Sequence, residues 1–335
     1  MTIASRVILL LVEHVQRNVA CNCDSHSGGM MHARYFLIRR LALRIILIGM
    51  CLAVQACATP TGDLTLLATQ SGLERSKVRA EGFNLLVFDN IRNVDAGASL
   101  GTNYGDVLHV YLEGDGSPWM YRTIIMPDPT PRNPLMLRLM SYDSKPAVYV
   151  GRPCYNGHAY DEGCNNSLWT SARYSEQVIR SMASAIRALS ERHNARQLWL
   201  MGHSGGGALA MLLAEKLPKV SRIVTLAGNL DTDAWTAHHR YTPLYSSVNP
   251  ARAPTLRSSV WQWHLIGGRD TVIPPQLLKP VIMNQPSASG FEFAGFSHGC
   301  CWERIWPDVL QALARDRPSE LTGEQFKFRA GSRDL

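Results

Sequence analysis

The sequence predicts an α/β fold: a mostly parallel central sheet with helices on both faces and a small lid insertion. Three observations carry the prediction. Short apolar segments rich in β-branched and aromatic residues recur between turn signals, as strands buried on both faces do. Between them lies an amphipathic helical pattern at Tyr174 to Arg192, where Val178, Met182, Ala185, Ile186 and Leu189 share one face. The third is Gln197 to Glu215, QLWLMGHSGGGALAMLLAE, an apolar strand running through a glycine-crowded turn into an apolar helix. Strand–helix alternation of this kind argues a parallel sheet covered on both faces.

The bulk numbers fit one main domain. At 335 residues, 46% apolar and 18% charged, the chain buries a full core and has no signature of disorder, fibre or coiled coil. The net charge of +7 is unevenly placed: residues 1–57 hold six arginines against Glu13 and Asp24, which leaves +3 for the rest. No basic stripe with interleaved aromatics follows residue 60, so no nucleic-acid partner is expected.

Residues 1–57 read as an N-terminal extension and export signal, with Met1, Met30 and Met31 all open as the start. From Met31, Arg34, Arg39, Arg40 and Arg44 precede the apolar run Ile45 to Val54, which is too short for a spanning helix. The run ends in Leu52-Ala53-Val54-Gln55-Ala56-Cys57, which resembles the bacterial lipobox and implies lipidation of Cys57 and a membrane anchor. Ala58 after the cysteine points to the periplasmic side of the outer membrane. The competing reading is ordinary cleavage after Ala56-Cys57-Ala58, giving a soluble periplasmic or secreted protein.

Export permits disulfides. Cys154 and Cys164 close a short loop rich in Gly and Asn and are expected to pair. Cys300-Cys301 leaves three options open: a vicinal disulfide, two buried thiols, or partners for other cysteines.

Residues 58–80 read as a polar tether. The catalytic domain spans 81–316. Its strands are Phe83 to Phe88, Val107 to Leu112, Ala147 to Val150, Leu198 to Met201, Arg222 to Leu226, Trp261 to Ile266 and Phe291 to Ala294. After the first helix come Ala208 to Leu217, stopped by Pro218, and a helix near Pro307 to Arg315; residues 229–259 form the lid-like insertion, and 317–335 a loose tail. There is no internal repeat.

The chemistry centres on Ser204 in Gly202-His203-Ser204-Gly205-Gly206, a G-x-S-x-G string placed between strand and helix. Two further stretches follow in order: Gly267-Gly268-Arg269-Asp270 after the penultimate strand, and Ser297-His298-Gly299 after the last. With these, residues 83–315 resemble the α/β-hydrolase superfamily, whose triad runs Ser, acid, His along the chain. The resemblance implies Ser204 as nucleophile, His298 as general base and Asp270 as the acid, with Asp231 or Asp233 as the alternative acid used by some lipases. It also implies an oxyanion hole from the Gly205 N–H and the turn Glu113-Gly114-Asp115-Gly116-Ser117, by the N–H of Asp115 or of Gly116; Glu113 stands where a His is common.

Tyr155 and Trp169 of the disulfide loop, with Trp235 and Tyr245 of the insertion, are candidates for the pocket wall. Surface packing is the competing reading. Glu113 and Asp115 add acidity near the mouth, which favours a substrate with a cationic portion. The pair His238-His239 lacks metal-site spacing, and Gly205 to Gly207 lack the G-K-[ST] of a phosphate loop, so no metal and no cofactor are expected. The expected activity is hydrolysis of a carboxylic ester through an acyl-enzyme. Peptidase, thioesterase and acyltransferase on the same fold, and a non-catalytic surface protein, are the alternatives. The substrate is a small molecule or acyl compound, and oligomeric state is not legible.

Overall fold

The computed structural model describes residues 59–91, 106–316, 321 and 324–327, together with positions 41 and 44. The chain divides into two units at Ala58/Thr59. The export signal and Cys57 lie outside the described residues. Among the described residues no helix is long and apolar enough to cross a membrane.

The second unit opens with α1 (Pro60–Gln70) and β1 (Glu74–Ala80), which corrects the expected tether. Thr59 caps α1 through its hydroxyl, Pro60 fixes the first turn, and Leu64 and Ala68, four residues apart, bury their side chains. Strand β1 pairs antiparallel with β2 (Phe83–Asp89) and lies at the sheet edge. Only Val78 and Ala80 of β1 are buried, and the remaining charged residues suit an edge.

Beyond them come β3 (Val107–Leu112), the short hairpin β4 (Trp119–Met120) and β5 (Ile124–Ile125), α2 (Leu135–Met140) and β6 (Ala147–Val150). Helix α3 (Glu176–Arg192) buries the predicted face, Val178 through Leu189, and its N-terminus is capped by the Ser175 hydroxyl. Strand β7 (Gln197–His203), α4 (Gly205–Lys216), β8 (Val220–Leu226), α5 (Thr232–His239), β9 (Trp261–Gly267), α6 (Pro275–Met283), β10 (Ala288–Phe293) and α7 (Trp302–Arg315) complete the core. The segment expected to be a loose tail holds β11 (Glu324–Lys327), antiparallel to β10.

Among the described residues, nine of the eleven strands form one sheet in the order β1-β2-β6-β3-β7-β8-β9-β10-β11, and β4 pairs with β5 apart from it. From β6 across to β10 every neighbouring pair is parallel. The two faces bury separate cores. One packs α3 and α4 against Leu108, Val110, Leu112 and Leu200; the other packs α1, α2 and α7 against Tyr111, Met201, Val224 and Phe291. Alternation along β3 explains the division, since successive side chains point to opposite faces.

The strand order also fixes where a ligand can sit. From β3 the chain goes to β6 on one side and later to β7 on the other, so the connections after β3 and β7 diverge at their carboxyl ends. That divergence opens the crevice at which ligands bind in such sheets. Leu112 at the end of β3 is in register with Gly202 near the end of β7. This architecture, a mostly parallel sheet with helices on both faces, is that of the α/β-hydrolases.

Candidate active site

Ser204 stands at the crevice with φ +52° and ψ −118°, between β7 and α4. Four backbone hydrogen bonds hold this unfavourable conformation: its N–H donates to the Leu226 carbonyl at 3.0 Å, and its carbonyl accepts from Gly207 (3.0 Å), Asn229 (2.8 Å) and Ala208 (3.4 Å). The flanking glycines are demanded by contact. A Cβ at Gly202 would lie 2.2 Å from the Gly206 carbonyl oxygen, and one at Gly205 would lie 2.0 Å from Asp115 Oδ1. The Gly205 N–H opens α4 and has no carbonyl four residues earlier in that helix to serve.

Asp270 and His298 arrive from the loops after β9 and β10. The Asp270 side chain is fully buried, and its Oδ1 accepts the N–H groups of Val272 and Ile273, both at 2.8 Å. Its Oδ2 faces His298 Nδ1 at 2.9 Å. A carboxylate there requires the proton on Nδ1, which leaves Nε2 of His298 as an acceptor. His298 retains 21% side-chain exposure, and both it and Ser204 line one cavity of about 1140 Å³. The alternative acids are engaged elsewhere: Asp231 caps α5 and accepts from Asn249, and Asp233 pairs with Arg252 at 2.6 Å.

Two residues that sequence reasoning passed over hold His298 by its backbone. His203 Nε2 lies 2.8 Å from the His298 carbonyl, and Trp302 Nε1 donates to the same oxygen at 3.0 Å. Burial, then the neighbouring His298, lowers the His203 pKa to about 3, so its ring is neutral and Nε2–H is the donor. The available signals were the x of G-x-S-x-G and a tryptophan four residues after the candidate base.

The turn after β3 lies directly beside Ser204: a Cβ added at Gly114 would stand 3.4 Å from that of Ser204. Gly116 has φ +68°, and both it and Asp115 border the cavity. The side chains of Asp115 and Glu113 do not supply the acidity expected at the mouth. Asp115 forms ion pairs with Arg152 (2.8 Å) and Arg173 (2.9 Å) and accepts the Tyr174 hydroxyl at 2.7 Å. Its burial opposes ionisation, but the arginines and Tyr174 outweigh it and lower its pKa to about 2. Glu113 turns inward and accepts the N–H groups of Gly114 and Met136; burial raises its pKa to about 7. The expected preference for a cationic substrate therefore loses its basis, because one acid is neutralised by two guanidiniums and the other is buried.

Of the four aromatic candidates only Trp235 borders the cavity. Tyr155 is buried with its hydroxyl on the Asp115 carbonyl, and Trp169 is buried with its indole N–H on the Met126 carbonyl. Tyr245 is 83% exposed and lies off the cavity. The wall is instead completed by Trp119, His239, Tyr241 and Leu244. Trp235 and His239 both face the Val272 carbonyl, at 3.0 and 2.8 Å, which ties α5 to the Asp270 loop. Cys154 is bonded to Cys164, and Cys300 to Cys301, so the vicinal option describes the second pair.

The sequence profile of the class 3 lipases matches residues 149–224, the stretch from β6 to β8 that includes Ser204 but neither Asp270 nor His298. No curated protein matches the chain. Among solved structures, an esterase of Pyrococcus furiosus superposes with a TM-score of 0.50 at 11% identity, covering 73% of this chain and 92% of its own. A puromycin hydrolase superposes with a TM-score of 0.51 at 16% identity, covering 75% of this chain and 40% of its own. At these identities the likeness is one of fold alone, the α/β-hydrolase fold.

Proposed function

We propose that the protein is a serine hydrolase that cleaves a carboxylic ester through an acyl-enzyme. The observation that carries this reading is the meeting of three loops on one cavity: Ser204 on a strained turn after β7, and the hydrogen-bonded pair Asp270–His298 after β9 and β10. Nε2 of His298 takes the Ser204 proton as Oγ attacks the ester carbonyl carbon. The Gly205 N–H, with the N–H of Asp115 or Gly116, receives the oxyanion. Collapse breaks the ester C–O bond, and His298 returns the proton to the departing alcohol oxygen. Water, deprotonated by the same nitrogen, then attacks the acyl carbon; the acyl C–Oγ bond breaks, the acid leaves, and His298 returns the proton to Ser204 Oγ. Asp270 holds the Nδ1–H tautomer throughout and stabilises the imidazolium.

Residues 229–259 act as the lid, with Trp235 on the cavity side. The export signal carries the enzyme to the cell envelope, anchored through a lipid on Cys57 at the periplasmic side of the outer membrane. Mass spectrometry of the membrane fraction tests that anchor; an unmodified Cys57 there contradicts it. For the chemistry, the wild type hydrolyses short p-nitrophenyl esters and Ser204→Ala does not. Equal turnover by Ser204→Ala removes Ser204 as nucleophile.

A further inference from the structure

The charge at the mouth of the Ser204 cavity points to a specific class of substrate. Arg122, Arg132 and Arg240 are exposed and border the cavity, and among the described residues none of them has an acidic side chain within ion-pair distance. The acids nearby are committed elsewhere. Asp115 is matched by two guanidiniums and Glu113 is turned into the core. Asp128 accepts the N–H of Thr130 within its own turn, Asp231 and Asp233 serve α5, Asn249 and Arg252, and Asp270 serves His298. The rim is therefore cationic, with no internal counter-charge.

One of these arginines, Arg122, is held in place. Tyr121 and Arg122 have φ +52° and +64°, and the Thr123 N–H donates to the Met120 carbonyl, so the β4–β5 hairpin closes on two consecutive left-handed residues. That geometry matches the twist of a hairpin but is normally given to Gly or Asn. It carries the Arg122 guanidinium to 5.9 Å from the ring centre of Tyr241, the residue next to Arg240. Arg122 thus lies over an aromatic of the rim that is next in sequence to Arg240, and a guanidinium over a ring keeps its N–H fork available for a planar or tetrahedral anion.

We infer that the ester cleaved at Ser204 carries an anionic group, a carboxylate or a phosphate, which is bound at the cavity mouth by Arg122, Arg132 and Arg240. The inference rests on the serine hydrolase reading and names its substrate class. The anion belongs to a soluble ester or to a lipid headgroup, and the chemistry recognised is the same.

The test compares the labelling rates of two fluorophosphonate probes of equal chain length, one ending in a carboxylate and one in its methyl ester. On the wild-type protein at low ionic strength the carboxylate probe is expected to label at least about tenfold faster. That ratio is expected to fall severalfold in 0.5 M salt, as screening requires (roughly 4 Å Debye length), and in the double variant R122Q/R240Q. Free succinate that slows the carboxylate probe places the anion on a soluble ester; phosphatidylglycerol vesicles that slow it more than phosphatidylcholine vesicles place it on a headgroup. Equal rates for the two probes, or a ratio untouched by R122Q/R240Q, overturn the inference and leave the hydrolase reading standing. Failure of both probes to label Ser204 overturns the hydrolase reading itself.

Discussion

Among the described residues two histidine–aspartate pairs join residues far apart in the chain, beside the local pair His158–Asp161, and only one of the two opens onto the cavity of Ser204. In both, Nδ1 of the imidazole meets Oδ2 of the carboxylate, at 2.9 Å for His298–Asp270 and 2.6 Å for His109–Asp143. His109 stacks on Trp199 with ring centres 4.7 Å apart, and the Tyr111 hydroxyl donates to the same Asp143 oxygen at 2.6 Å. Both members of that pair are buried, whereas His298 opens onto the cavity it shares with Ser204. A His–Asp bond therefore gives orientation in either place. The exposed edge of His298 and the strained Ser204 share one cavity, where the loops after β3, β7, β9 and β10 meet.

Asparagine at each aspartate separates the two roles. Asp270→Asn is expected to lower kcat by about 10⁴, through the wrong imidazole tautomer. Asp143→Asn is expected to leave kcat within a fewfold and to lower unfolding free energy in urea by roughly 3 kcal/mol, the cost of breaking a buried pair. Comparable losses of kcat in both variants erase the distinction. Asp115 is a third carboxylate, matched to arginines instead of histidine. Asp115→Asn leaves Arg152 and Arg173 facing each other with one counter-charge fewer, and a loss of roughly 3–5 kcal/mol in the same urea experiment is expected.

Glu113 gives an effect that depends on pH. Its folded pKa of about 7 lies above the unfolded value, so the folded state holds the extra proton. That contribution to stability is complete below the unfolded pKa, declines as pH rises through about 4.5 to 7, and is gone above it, an order of 3 kcal/mol in all. His203 has the opposite sign: its pKa is lowered to about 3, so its share is lost as pH falls from about 6.5 toward 3. In Glu113→Gln the decline in urea midpoint between pH 5 and pH 8 is expected to shrink; an unchanged decline assigns it to other groups.

The Ser204 pocket was legible because its parts obey local rules. The apolar run Leu198 to Met201, glycines two residues either side of Ser204, and polar loops after the last two strands all speak through sequence spacing. What escaped depends on long-range packing. Residues 59–80 look polar because α1 buries only Leu64 and Ala68 and β1 is an edge strand with Lys77 and Arg79 outward. Tyr155 and Trp169 follow β6, yet their polar tips find buried carbonyls and their rings join the core. The sign of charge at the mouth was misread for the same reason: Asp115 and Glu113 are near in sequence to the site, but their partners Arg152, Arg173 and Met136 come from elsewhere in the chain.

The claim at the centre of this account is that His298, and not the equally paired His109, activates Ser204. Peptide mapping by mass spectrometry after a timed exposure to a neutral fluorophosphonate tests it in one experiment on wild type, His298→Ala and His109→Ala. The account predicts the adduct on Ser204 in the wild type and in His109→Ala, and its loss in His298→Ala. An adduct on another residue, or undiminished labelling of Ser204 in His298→Ala, would contradict it.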